Sequence, residues 1–165
     1  MAKTITVELG NDSINNAIKE LKAYKAWVLA KERELRLRLA QIGADVASIQ
    51  FSRAVYDGTN DVTVRVDDTG SVAVIYAEGE SVAFIEFGAG AKYGYGHPQA
   101  GEFGVGPGTY PDGKGYWDRP YGWWIPKEKG GGHTYGNPPA MAMYNAVQRM
   151  TEQLTVIAKE VFAKQ

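Results

Sequence analysis

The sequence predicts an α+β chain, and three patterns point to it. A long seven-residue apolar repeat lies near the N-terminus, a second helical stripe lies near the C-terminus, and two alternating segments between them face each other across a turn. At 165 residues the chain suits one domain with a core of its own. Its texture divides into a periodic part (1–87), a Gly, Pro and aromatic excursion (88–139) and a periodic end (140–165).

The first element is a short strand over Thr4–Leu9, where Ile5, Val7 and Leu9 alternate with polar residues. Gly10 and Asn11 break it, and Asp12 or Ser13 can cap a helix after them. Ile14, Leu21, Val28, Leu35 and Ile42 then recur every seven residues, with Ile18 and Leu39 beside them. Such a stripe demands a long helix lying along a partner surface, although Lys25 and Glu32 interrupt a simple coiled-coil seam. Gly43 is expected to end or bend this helix. A second one runs from Ala44 to Tyr56, and Asp57-Gly58 turns the chain.

Val62, Val64 and Val66 alternate with polar residues, Asp67-Asp68-Thr69-Gly70 supplies a turn, and Val72–Tyr76 returns as the second strand of a hairpin. Residues 81–87 fit a strand or a short helix. Ser81 as cap and Gly88 as terminator favour the helix. In the last region Asn137-Pro138-Pro139 is a cap followed by proline in the first turn. Met143, Val147, Met150, Leu154, Ile157 and Val161 then mark an amphipathic, core-packing helix.

Composition narrows the function classes. Hydrophobic content of 44% and charged content of 22% are those of an ordinary globular chain, and a net charge of −1 gives no overall pull toward nucleic acid or membrane. The absence of cysteine excludes disulfides, thiol nucleophiles and thiolate metal sites. Residues 1–4 lead straight into the strand pattern with no basic flank and apolar run, so neither a secretion signal nor a membrane span is expected. The first helix has seven basic residues between Lys19 and Arg38 against three acidic ones. Their interspersion reads as a solvated face with local ion pairs more simply than as a DNA surface.

Residues 88–139 hold all seven prolines, fifteen of twenty glycines and three of four tryptophans. Large aromatics set this stretch apart from a flexible linker and suggest an excursion ordered against something. Gly108 to Lys114 fits the start of a phosphate-binding loop. Gly115, however, stands where Ser or Thr should hold magnesium, and no strand precedes the loop. His97 and His133 have Glu86, Glu102, Asp112 and Asp118 nearby, but no ligand spacing or nucleophile motif, and surface-loop histidines are the ordinary explanation. No catalytic residue, metal or cofactor is therefore expected. Trp117, Tyr121, Trp123, Trp124 and Tyr135 are the candidate contact residues. Contact with other subunits is favoured over a fold-back onto the sheet, with stacking on sugar rings third. Trp123–Pro126 and His133–Tyr135, joined through three glycines, suit a hairpin arm.

Two segments carry a resemblance. In Ala83-Phe84-Ile85-Glu86-Phe87-Gly88-Ala89-Gly90, the residues Ala83, Ile85, Glu86, Gly88 and Gly90 fit one motif. Asn137, Pro138, Pro139, Ala140, Met141 and Met143 fit a second, at the opening of the last helix. Ala89 stands where threonine is common and Ala142 where proline is often found. In this order, after a long helix and a hairpin, they resemble the head–tail joining (neck, tail-completion or tail-component) proteins of long-tailed double-stranded DNA phages. The resemblance implies a small antiparallel sheet packed under two main helices. It also implies a structural, non-enzymatic virion protein, assembled in the bacterial host cytoplasm as a homo-oligomeric ring, a hexamer. The ring's neighbours would be head-completion or connector proteins and tail-terminator or tail-tube proteins, with DNA passing through the lumen. The alternative is a tail-associated or carbohydrate-binding module built on the aromatic loop.

Overall fold

The computed structural model describes residues 6, 10–54, 60–90, 92–93, 96–105 and 119–163. The expected strand at Thr4–Leu9, the Asp57-Gly58 turn, the phosphate-loop-like stretch and Trp117 lie outside the described residues, apart from Thr6. The fold is α+β: a long helix α1 (Asn11–Arg53), a hairpin of β1 (Thr63–Asp68) and β2 (Ala73–Glu78), and a short helix α2 (Val82–Phe87). After these come a two-residue pair, β3 (Trp123–Trp124) and β4 (His133–Thr134), and a final helix α3 (Ala142–Ala163).

Helix α1 runs unbroken through Gly43, about 65 Å at 1.5 Å per residue, so the expected end or bend there is not made. Gly43 serves packing instead. A Cβ at this position would stand 2.6 Å from Ile75 Cδ1 and 2.7 Å from Met150 Sδ, so the missing side chain lets β2 and α3 close onto the helix. At the N-terminus Gly10, not Asp12 or Ser13, is the cap residue, and no side chain caps the helix. At the other end Asn60 reaches back, its Nδ2 donating to the Phe51 (2.5 Å) and Ala54 (2.8 Å) carbonyls. This satisfies acceptors that the last turn leaves open.

Helix α3 runs antiparallel to the later part of α1. Asn145 Nδ2 donates to Gln50 Oε1 at one end, and Phe162 meets Trp27 edge-on at 5.9 Å at the other. The contact is made by small residues: Ala47 on α1 packs with Ala142 and Ala146 on α3, Phe51 and Ile85 close the core, and Ala44 is buried one turn before Ala47. The α3 stripe is therefore rotated from the one expected. Ile157 and Val161 are buried as predicted, while Val147 and Leu154 stand on an exposed flank. Alanines win the inner face because they let the two backbones approach closely.

The β1–β2 register pairs Thr63 with Glu78 and Asp68 with Ala73. Val64 and Ala77 face the core, while Arg65 lies over the Tyr76 ring and bonds Glu78 on the outer face. The turn is pinned to α1. Arg33 Nε donates to Asp68 Oδ2 at 2.9 Å, and Arg36 donates to the Gly70 carbonyl at 2.8 Å. The Gly70 amide and the Arg33 side chain, outweighing partial desolvation, hold the Asp68 carboxyl below its ordinary range. Burial opposes ionisation at Asp61, but hydrogen bonds from the Glu80 and Ser81 amides and the Ser81 hydroxyl outweigh it, and its pKa is lowered too. Ser81 precedes α2 as expected, yet makes no side-chain cap bond to the helix. Intrachain ion pairs occupy Lys31, Arg33, Arg36 and Arg38, which accounts for four of the seven basic residues between Lys19 and Arg38.

Candidate interaction surface

The two segments that carry the resemblance meet in space around Glu86. This residue lies in an otherwise apolar helix, Val82–Phe87, and is only 5% exposed. Its carboxylate accepts the amides of Met143 (2.9 Å) and Tyr144 (3.0 Å), two of the donors that the start of α3 leaves open. Backbone bonds from Ala140 N–H to the Ile85 carbonyl (2.8 Å) and from Met141 N–H to the Glu86 carbonyl (3.2 Å) complete the join. Asn137 does not cap α3. Its Nδ2 donates to the Phe84 carbonyl (3.0 Å), and its backbone pairs with Ala89 in an isolated antiparallel bridge. Met141 turns the chain into α3 at φ +53°, in the left-handed region.

Of the motif positions, Ile85 is fully buried and Ala83 is exposed. Pro138 is exposed, while Pro139, Ala140 and Met143 are half-buried. Gly88 (φ +80°) needs its missing Cβ, which would stand 2.8 Å from Pro139 N. Gly90 (φ +90°) lies against the Tyr135 carbonyl in the same way.

His97 is not the surface-loop residue that its sequence context suggests. It is 4% exposed, packed against Phe87 (4.4 Å between ring centroids) and Tyr144 (5.5 Å). Its Nδ1 accepts the Gln99 amide at 3.1 Å, which places the proton on Nε2, and Nε2 donates to Glu86 Oε1 at 3.2 Å. Both ring nitrogens are thus committed within the chain, and their chemical work is to tie residues 96–105 to the start of α3. Nothing local in the sequence signals this pair. The one hint is a carboxylate inside an apolar helical run. His133 is exposed, as expected of a loop histidine. Among the described residues no cluster of three His, Asp or Glu could hold a metal ion.

The β3–β4 pair forms the expected hairpin arm, with Trp123 opposite Thr134 and Trp124 opposite His133. Its two strand tryptophans part company. Trp123 packs half-buried on Phe84 and Ala89, so it folds back onto the core. Trp124 is 75% exposed, as are Tyr121 (85%) and Tyr135 (57%). Trp124, His133 and Tyr135 form an outward row, with ring centroids 5.2 and 4.9 Å apart.

Two open, largely apolar grooves flank Val147. One, of about 360 Å³, lies between α1, β2 and α3. The other, of about 490 Å³, is walled by α2, α3 and the His97 loop and includes Phe103, Met143 and Tyr144. No described helix is long and apolar enough to cross a membrane. Compared with known proteins, the chain matches no family model, no curated protein and no solved structure.

Proposed function

We propose that the chain is a structural subunit of a phage neck, a ring-forming protein that joins the head connector to the tail and lets DNA pass. The observation that carries this reading is the convergence on Glu86. The two sequence segments that resemble the neck family, fifty residues apart, are bonded to each other through one buried carboxylate and three backbone contacts. They behave as one structural unit, which is what a shared fold signature requires. The exposed aromatic row and the two apolar grooves add contact area of the kind found in the cores of protein interfaces. The partners on this reading are further copies of the chain and the adjoining head-completion and tail proteins. The test is particle assembly. Deleting the gene should yield heads and tails that fail to join, and purified virions should contain the protein at the neck. Absence from complete virions would end the proposal.

The row of Trp124, His133 and Tyr135 favours one second reading, a glycan-binding module, because sugar rings stack on such faces. Trp124→Ala would then abolish binding of the isolated protein to cell-wall glycan while leaving assembly intact. On the neck reading the same change impairs assembly, and there is no glycan binding to lose.

A further inference from the structure

The β1–β2 hairpin is a sheet of two strands, so each strand keeps an outer edge. The Thr69 amide donates to the Val72 carbonyl at 3.0 Å, which makes 69 and 72 a hydrogen-bonded pair. Such pairs alternate along an antiparallel ladder. In this register Ala73, Ile75 and Ala77 therefore turn their amides and carbonyls away from β1. Among the described residues no hydrogen bond reaches those groups. Both apolar grooves lie along this edge. The smaller includes Ala73, Val74 and Ile75, the larger includes Ala77, and Met143 and Val147 of α3 line both. An open edge beside apolar hollows suits an added strand, which bonds the edge through its main chain and sinks alternate side chains in the hollows.

The sequence holds an alternating segment that matches this edge: Thr4–Leu9, outside the described residues apart from Thr6. It is six residues long, as β1 and β2 are. Thr6 is exposed and lies in no strand of its own chain. A strand left alone has no partner for its backbone and buries neither face. Its own hairpin is out of reach. Arg36, the groove residue nearest the start of α1, lies about 40 Å from Gly10 along an unbroken helix. Six extended residues running back from Gly10 span only about 20 Å. The edge of a second copy is under no such limit.

We infer that Thr4–Leu9 of one copy adds as an antiparallel strand to the β2 edge of a second copy, with Val7 opposite Ile75. Ile5 and Leu9 then fall opposite Ala77 and Ala73, large side chains beside small ones. Ile75 faces Gly43 on the inner side of the sheet, so Ile5, Val7 and Leu9 take that side too and enter the grooves over Val147. Glu8 falls opposite Val74, whereas a parallel strand would carry it toward Glu78. The strand leaves the edge beside Ala73, so the first turns of α1, with Ile14, Ile18 and Leu21, begin beside the same neighbour. Each copy gives its strand to one neighbour and its edge to another. A contact of this heterologous kind closes into a ring or runs on as a filament. The inference deepens the subunit reading by assigning the surfaces that join copies, and it does not depend on the particle being a phage.

The chain has no cysteine, so any disulfide is an introduced one. Val7→Cys and Val147→Cys, the second at an exposed position on both groove walls, are made in separate full-length chains, mixed and oxidised. The mixed disulfide should outnumber each symmetric one by about tenfold, as a heterologous contact requires. A chain carrying both cysteines should give a ladder of covalent multimers. The main-chain half is read by amide exchange: the Ile75 and Ala77 amides should slow by about tenfold as the wild-type chain is concentrated. Val7→Pro, which removes the donor to the Ile75 carbonyl, should abolish that slowing. Dominant symmetric disulfides, of either kind, would overturn the inference in favour of strand meeting strand or α3 meeting α3. An internal disulfide in the double variant would overturn it in favour of the chain's own segment. No disulfide at about 0.5 mM chain, or exchange indifferent to concentration, would leave the edge to a foreign strand. Each such failure leaves the neck proposal to be judged on virions, and absence from virions leaves a mixed disulfide standing.

Discussion

The two parts of α1 share one helix and one kind of apolar repeat, yet they use it in opposite ways. Between Trp27 and Arg53 the buried positions are Ala40, Gly43, Ala44, Ala47 and Phe51, mostly small residues pressed against α3 and the β1–β2 hairpin. Between Asn11 and Ala26 only Ala17 is buried, and the repeat is carried by Ile14, Ile18 and Leu21, larger side chains that stay substantially exposed. Small residues mark a face already closed by its own chain, since they permit close backbone approach. Large aliphatics left in water mark a face that still has hydrophobic free energy to gain, at about 25 cal/mol per Å². The helix is packed by α3 and the hairpin at one end and keeps large aliphatic side chains exposed at the other.

This contrast can be broken most forcefully at the join that holds α3 on the inner part. Glu86→Ala removes the acceptor of three buried donors and should lower stability by about 3 kcal/mol, read from denaturant unfolding. Glu86→Gln keeps one acceptor oxygen and should lose less. A small loss for both would mean that the carboxylate does not hold the helix. Next in size is Gly43→Leu, which overpacks the site against Ile75 and Met150 and should cost about 2–3 kcal/mol. Gly43→Ala should fall within about 1 kcal/mol of wild type, because gained helix propensity offsets small shifts of two flexible side-chain ends. Were Gly43 a bend, the alanine would change the far-ultraviolet spectrum; it should not.

The tryptophan pair repeats the contrast on the hairpin arm. Trp123→Ala should cost about 2 kcal/mol through its contact with Phe84 and Ala89, whereas Trp124→Ala should stay within about 0.5 kcal/mol in thermal unfolding. A smaller effect comes from pH. The folded pKa values of Asp61 and Asp68 are depressed, so their contribution is fully present above the unfolded carboxylate value near 4 and is lost as pH falls through the folded values. Acid should loosen the Asp68–Arg33 tie, and Asp68→Asn should flatten the stability profile below about pH 4.

Periodicity made α1, the β1–β2 hairpin, α2 and α3 legible, because each pattern reports which face of an element avoids water. It could not report what covers that face. The Ile14 and Leu21 stripe reads like the Leu35 and Ile42 stripe in sequence, but the first pair is exposed and the second half-buried. Gly43 reads as a breaker locally, while its reason lies in Ile75 and Met150, distant in the chain. Asn137 has the chemistry of a cap, yet Glu86 supplies the α3 cap from 57 residues earlier, and no local rule reaches that far. His97 is buried for the same reason: its partners are tertiary.

The division of α1 is tested most directly by sedimentation equilibrium of the wild-type chain beside Leu21→Glu, with thermal unfolding of both. The wild type should sediment above its 18.0 kDa chain mass. Leu21→Glu should sediment at the single-chain mass, with its unfolding temperature unchanged. A Leu21→Glu protein that unfolds markedly earlier would place the stripe in the chain's own core. One that associates as the wild type does would show that copies meet through another surface than the Ile14, Ile18 and Leu21 face.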